Sequence, residues 1–219
     1  MRAQLLAGLM LLGACSAAAA DDRARIEQAY ANRLAAQQQQ DIDQRIALRA
    51  DALTRAPGSP VLGNPGGDVV IVEFFDYTCP YCKAIEPRLE ALLKSDRKVK
   101  LVLKEFPILT PQSMIATRAA LASVRQGKYR AFHQAMMNFR GQLLESDIFD
   151  MAKTCGLDMA RLRRDMTAPE ISDEIIANFN LARGIRVFQT PAFIVGNRLM
   201  SSESASIDFR KAVAAARGK

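Results

Sequence analysis

Seven consecutive residues, Val69-Val70-Ile71-Val72-Glu73-Phe74-Phe75, are β-branched or aromatic with one exception. A run of that length and composition reads as a strand covered on both faces. Residues 79–94 follow with helical periodicity, and Val99–Glu105 is a second strand. Strand, helix and strand within about 35 residues form a βαβ unit. From 111 to 184 only helical periodicity is present. The candidate helices are 112–126, 128–140, 146–154, 158–166 and 170–183, punctuated by Gly127, Gly141, Gly156 and Pro169. Ala192–Val195 is then a strand, Gly196-Asn197 a hairpin signal, 198–200 a short return strand, and 207–216 a closing helix. The order βαβ, helical block, ββα predicts an α/β thioredoxin fold with an inserted helical domain at 111–184.

An N-terminal helical arm is expected before that domain. Residues 22–53 lack Gly and Pro and are rich in Ala, Gln, Arg, Leu and Glu, all good helix formers. Ile26, Tyr30, Leu34, Ile42, Ile46 and Leu53 fall near one face. So thin an apolar stripe needs a partner. That partner is either a second copy of the chain, making 21–57 an oligomerisation arm, or the chain's own globule. Pro57-Gly58-Ser59-Pro60 ends the arm, Gly63-Asn64-Pro65-Gly66-Gly67 is a turn-rich lead-in, and the domain is expected over 58–219.

Residues 1–20 have the parts of a secretory leader: Arg2, a short apolar stretch at 5–12, and Ala18-Ala19-Ala20 as a small-residue cleavage site. Export to the periplasm follows. Leu12-Gly13-Ala14-Cys15 resembles a lipobox, and lipid anchoring through Cys15 is the less favoured alternative. No apolar run reaches the roughly 18–20 residues of a membrane span. Net charge is +7, from 30 basic and 23 acidic residues. The basic residues are scattered, with short clusters at 94–100 and 161–164, where nucleic-acid binding wants a concentrated stripe. A solvated basic surface is the expectation, with no nucleic-acid partner.

The chemistry sits where the first strand meets the first helix. The four cysteines are Cys15, Cys79, Cys82 and Cys155, and two of them form Cys79-Pro80-Tyr81-Cys82. Cys79 falls at a helix N-terminus, where free N–H groups and the helix dipole favour a thiolate. Pro80 fits the first turn, where its missing N–H costs nothing. Cys82, one turn in, sits deeper. Cys79 is therefore expected to attack and be attacked, and Cys82 to resolve. Glu73 interrupts the most apolar strand on the face of Ile71 and Phe75. Burial raises a carboxyl pKa, which suits Glu73 to take the Cys82 proton. The competing expectation is a carboxylate satisfied by a nearby lysine such as Lys104. Cys155 is expected to be a buried inert thiol, and His133, the single histidine, to serve packing rather than catalysis.

The segment Glu73-Phe74-Phe75-Asp76-Tyr77-Thr78-Cys79-Pro80-Tyr81-Cys82-Lys83 resembles the active-site segment of the DsbA-like thiol–disulfide oxidoreductases. Thr190-Pro191-Ala192-Phe193 resembles that family's cis-proline loop, which lies against the cysteine pair and presents substrate backbone. The resemblance spans roughly residues 59–217, and Pro80 and Tyr81 join Thr190 and Pro191 as implied substrate contacts. Within the family, Pro60-Val61-Leu62-Gly63-Asn64-Pro65 and Lys104-Glu105-Phe106-Pro107-Ile108-Leu109 are most similar to Com1-like and suppressor-of-copper-sensitivity C (ScsC-like) proteins. Some of these trimerise through an N-terminal arm and act as isomerases or reductases, although the arm here departs from their usual pattern. Oxidases of the family usually carry His where Tyr81 stands and Val where Thr190 stands. The resemblance therefore implies a reductase or isomerase of exported client proteins, kept in its redox state by a membrane partner and needing no cofactor beyond the Cys79–Cys82 pair. The alternative is a dithiol oxidase. An alternative of another class is a Zn or Cu(I) module, with Cys79, Cys82, His133 and Cys155 as ligands for zinc or the thiolate pair for copper.

Overall fold

A computed structural model describes residues 3–201 and 207–218. The side chains of residues 1–20, and with them the expected cleavage site and Cys15, lie outside the described residues. The chain divides into two compact units, 1–44 and 45–219. The first is made by most of α1 (Ala3–Ala47), on which Ile26, Tyr30 and Leu34 are exposed.

The second unit starts within the last turn of α1, so the final part of the expected arm belongs to the globule. α1 does not run on to 53. It stops at Ala47, and α2 (Ala50–Thr54) follows after a turn. The Arg49 guanidinium donates to the Arg45 carbonyl at 3.2 Å, serving an acceptor left by the broken helix. Ile46 and Leu53 on either side of the break are both buried.

Five strands form one mixed sheet in the order β1-β3-β2-β4-β5. β2 (Val69–Phe75) and β3 (Val99–Glu105) are parallel and joined by α3 (Pro80–Ser95). β1 (Val61–Gly63), β4 (Ala192–Val195) and β5 (Arg198–Ser201) are added antiparallel. β1 falls in the stretch beginning the turn-rich lead-in, and three residues are too few to carry a periodic signal. Its Gly63 has φ +75, and a Cβ there would stand 2.6 Å from the Val99 carbonyl oxygen.

Between β3 and β4 lie α4 (Pro111–Val124), α5 (Tyr129–Asn138), α6 (Glu145–Thr154), α7 (Met159–Asp165) and α8 (Pro169–Gly184). α9 (Phe209–Ala216) closes the chain. One sheet face, with Ile71, Phe75, Leu101, Leu103, Phe193 and Val195, packs in a single core with α3, the insertion and α9. The opposite face carries Val72, Phe74 and Val102, also buried, with Phe74 edge-on to Phe106 and Phe106 against Phe179 of α8. Cover on both sides explains why β2 reads as a continuous apolar run.

Candidate active site

The site begins with the turn that launches α3. Asp76, fully buried at the end of β2, accepts four hydrogen bonds. Oδ1 takes the Thr78 N–H at 2.7 Å and the Thr78 hydroxyl at 2.9 Å; Oδ2 takes the Ile108 and Leu109 N–H groups at 2.9 and 3.1 Å. Thr78 also meets Ser113 Oγ at 2.9 Å, and Ser113 forms a capping box with Thr110 at the start of α4. The turn is thereby tied to the loop after β3 and to the insertion. Asp76 was not among the expected residues, although Asp-x-Thr at a strand end is a recognisable Asx-turn pattern.

That turn presents Cys79 as the N-cap of α3, with Pro80 at the first helical position. Cys79 Sγ accepts the Cys82 N–H at 3.4 Å and lies 3.4 Å from the Thr190 carbonyl oxygen. The Thr190–Pro191 peptide bond is cis. The expected pair and the expected proline loop are thus brought together. Both thiols are free; Cys79 is 2% exposed and Cys82 fully buried. Tyr81 projects outward, 64% exposed.

The two sulfurs are electrostatically unlike. The Cys79 pKa is lowered from 9.0 to about 6, first by the hydrogen bond with the Cys82 side chain, against burial, and then by Thr190 and the N–H groups of Cys82 and Tyr81. Burial pushes the Cys82 thiol far up, with the Cys79 hydrogen bond and the Glu73 charge adding to it.

Glu73 faces the pair from β2. It is fully buried and neither carboxyl oxygen has a hydrogen-bond partner. Burial raises its pKa well above the carboxylate range, helped by Glu86, Cys79 and Glu105. Lys104 does not satisfy it. Glu73 registers with Leu103, so Lys104 shares the opposite face with Phe74. Its ammonium donates to the Ala52 carbonyl at 2.7 Å and to Ser59 Oγ at 2.6 Å.

Two further buried carboxyls were not foreseen. Glu86 lies on the inner face of α3, one turn after Cys82, and its Oε2 is unpartnered. Glu105 ends β3, where Oε1 accepts from the Tyr77 and Tyr129 hydroxyls, both at 3.0 Å, and Oε2 accepts from Thr117 at 2.9 Å. Burial raises its pKa to about 8 against those three donors. The signal was in the alternation, since Leu101, Leu103 and Glu105 share a face.

Among the described residues, no group of three or more His, Cys, Asp and Glu side chains is placed to hold a metal ion. Cys79, Cys82, His133 and Cys155 therefore do not assemble as zinc ligands. Cys155, expected to be buried, is only partly so: it is the C-cap residue of α6, packed against the edge of the core. His133 is fully buried and packs against Tyr129, Phe75 and Tyr77.

Residues 70–213 match the DSBA-like thioredoxin domain family. The chain belongs to this DsbA-like thioredoxin-domain family. A thioredoxin-like oxidoreductase from Silicibacter pomeroyi is 42% identical, with a TM-score of 0.72 over 77% of this chain and 98% of that one. The catalytic domain of Proteus mirabilis ScsC is 25% identical, with a TM-score of 0.72 over 81% and 99%. The thiol:disulfide interchange protein DsbA of Bordetella parapertussis is 30% identical over 150 residues, 65% of this chain and 70% of that protein. The chain spans only 22% of the length of other curated relatives, Na(+)/H(+) antiporters of Salinispora, at 29% identity over 140 residues. Membership accounts for the pairing of a helix-capping cysteine with a cis-proline loop in this DsbA-like domain.

Proposed function

We propose that the protein is an exported thiol–disulfide oxidoreductase that reduces or isomerises disulfides of client proteins through Cys79 and Cys82. The observation that carries the exchange chemistry is the asymmetry of the pair: one sulfur caps a helix with its pKa at about 6, and the other is buried and held protonated. The direction is supported by Tyr81 and Thr190, which stand where oxidases of the family usually carry His and Val. The Cys79 thiolate attacks a client disulfide; the client S–S bond breaks, one client sulfur leaves as a thiolate, and a mixed disulfide forms. In isomerisation a client thiolate displaces Cys79 unchanged and a new client disulfide results. In reduction Glu73, which ionises more readily once the Cys79 charge is gone and has released its own proton to solvent, takes the Cys82 proton as Cys82 attacks Cys79 Sγ. The second client thiolate leaves, and two electrons have passed from the pair to the client. Thr190 and Pro191 hold client backbone beside Cys79, and Pro80 and Tyr81 contact it at the rim.

Export is supported by the leader pattern at 1–20; among the described residues no helix is long and apolar enough to cross a membrane. A membrane redox partner would recharge the pair. Assembly through the arm is supported by the exposed Ile26, Tyr30 and Leu34, and a monomeric mass by light scattering would reject it. Ile46 and Leu53 are unavailable to that face because the chain buries them itself.

One observation favours the dithiol oxidase as a second reading: a thiolate at about 6 stabilises the reduced pair and so makes the disulfide more oxidising. Acid quenching of cells, alkylation with a heavy maleimide and a non-reducing gel, in a Cys155→Ala background, separates the two. A mostly reduced pair is expected; a mostly oxidised pair establishes the oxidase instead.

A further inference from the structure

His133, the only histidine in the chain, takes no part in the exchange steps above. Its surroundings nonetheless form a polar path through the core, hydrogen-bonded except for one gap of 3.7 Å at Nε2. Nδ1 lies 3.0 Å from the Tyr77 hydroxyl, and the same hydroxyl lies 3.0 Å from Glu105 Oε1. On the far side of the ring, Nε2 faces Glu86 Oε1 at 3.7 Å, without a hydrogen bond of its own. The path Glu105–Tyr77–His133–Glu86 runs from β3 to α3. At its α3 end Glu86 acts on Glu73 more strongly than Glu105 does.

Counting hydrogens leaves this path two arrangements with the same number of protons. Tyr77 has one hydrogen and two neighbours that can accept it. If it goes to Glu105, then Nδ1 carries a proton and donates to Tyr77, Nε2 is bare, and Glu86 is protonated. If it goes to Nδ1, then a protonated Glu105 donates to Tyr77, and an Nε2–H faces a Glu86 carboxylate. One negative charge sits at Glu105 in the first case and at Glu86 in the second. Both ends are suited to hold it or lose it. Glu105 has hydrogen bonds from Tyr129 and Thr117 in either arrangement, and Glu86, with one oxygen unpartnered, interacts with Glu73, which has both unpartnered.

We propose that this path is a proton switch coupled to the dithiol, with His133 as the positioning residue that decides which buried carboxyl is charged. The proposal rests on the redox reading of Cys79 and Cys82. In the reduced protein the Cys79 thiolate repels negative charge from the Glu73–Glu86 side, and above the value of about 8 to which burial raises Glu105 the charge lies on Glu105. When Cys79 enters a disulfide its charge is gone, and the charge moves to Glu86. A charged Glu86 strengthens the neighbouring Glu73 as the base for Cys82. The moving proton stays within the path, so none is gained or lost there. The electrons go to the client disulfide and the Cys82 proton to Glu73, as above.

A single histidine makes the test direct. The ring nitrogens of 15N-labelled full-length protein are observed by NMR at one pH above about 8, where Glu105 can be charged, in the dithiol and the disulfide forms. The expected result is an Nδ1–H tautomer in the dithiol and an Nε2–H tautomer in the disulfide. One unchanged tautomer, or a doubly protonated ring in both forms, overturns the proposal while leaving the redox reading intact. Tyr77→Phe keeps the ring and cuts the path. It is expected to abolish the tautomer change while the Cys79 thiolate still titrates near its original midpoint; a tautomer change that survives also overturns the proposal. Thiol counting on the same samples reports whether the pair closes at all, and a pair that never forms a disulfide sinks both readings.

Discussion

The depressed Cys79 pKa can be tested quantitatively by removing its largest cause. At a pKa of about 6, roughly nine-tenths of Cys79 is thiolate at pH 7, against about one-hundredth for a thiol at 9.0. That is a gain of about 90-fold in the reactive species. Nucleophilicity falls with pKa at a Brønsted slope of about 0.4–0.5, so three units take back roughly 16- to 32-fold. The net advantage in attack is only about 3- to 6-fold. The larger benefit lies in Cys79 as a leaving group, which lets mixed disulfides break quickly. Because the Cys82 side chain contributes most to the shift, Cys82→Ala should raise the Cys79 midpoint by about one unit or more. Cys82→Ser keeps a donor and should stay closer to the parent. The assay is thiolate ultraviolet absorbance against pH in reduced protein carrying Cys155→Ala. Linkage gives a second reading of the same quantity. A lowered thiol pKa contributes stability that is complete above 9.0 and lost as pH falls through about 6. Reduced protein should lose about 1.4 kcal/mol between pH 7 and pH 5 relative to Cys79→Ser, equivalent to roughly 30 mV in potential. A parent midpoint of about 8 or above, or identical midpoints for Cys82→Ala and Cys82→Ser, would refute the reasoning.

Three other outcomes follow from the site. Glu73→Gln removes a carboxyl whose pKa burial raises, so the wild type loses stability as pH climbs above 4.5 while the variant does not. Denaturant midpoints should favour the variant at pH 7 and converge towards pH 4.5. Resolution of the mixed disulfide by Cys82 should at the same time slow and lose its pH dependence; unchanged exchange rates across pH would reject the base role. Asp76→Ala strips four donors of their acceptor and should cost roughly 3–5 kcal/mol by urea unfolding. Tyr81→His places a potential thiolate stabiliser at an exposed position beside Cys79; it should lower the Cys79 midpoint and make the disulfide more oxidising in a glutathione equilibrium.

Much of the fold could be read from the chain because its elements are long or sharply punctuated. β2 and β3 were bounded by apolar runs, and the five inserted helices were separated by Gly and Pro. The departures occur where periodicity is silent. β1 is three residues of edge strand whose pairing with β3 is decided by tertiary contact. The break between α1 and α2 has no Gly or Pro to mark it. There, a guanidinium on a backbone carbonyl replaces the lost helical bond, an interaction available to any arginine and signalled by none.

The site divides along the same line. Cys79, Cys82, Pro80, Thr190 and Pro191 were legible because the chemistry confines them to local motifs. Glu73 was legible because a carboxyl in an apolar strand is costly. Glu86, Glu105, Tyr77 and His133 lie in four separate segments, and each alone is an unremarkable helix, strand or turn residue. What makes them a unit is that the sheet and the insertion press β2, β3, α3 and α5 into one core. Three carboxyls and an imidazole then share one buried volume with too few hydrogen bonds for all of them to be charged. Both oxygens of Glu73, one of Glu86 and one nitrogen of His133 have no protein hydrogen-bond partner, and a buried group left unpaired costs about 1–3 kcal/mol. On the proton-switch proposal, a dithiol that gains and loses a charge in each cycle supplies the reason for keeping them there. A site that must accept a proton at one step and release it at another needs groups whose protonation is undecided, and full hydrogen bonding would decide it.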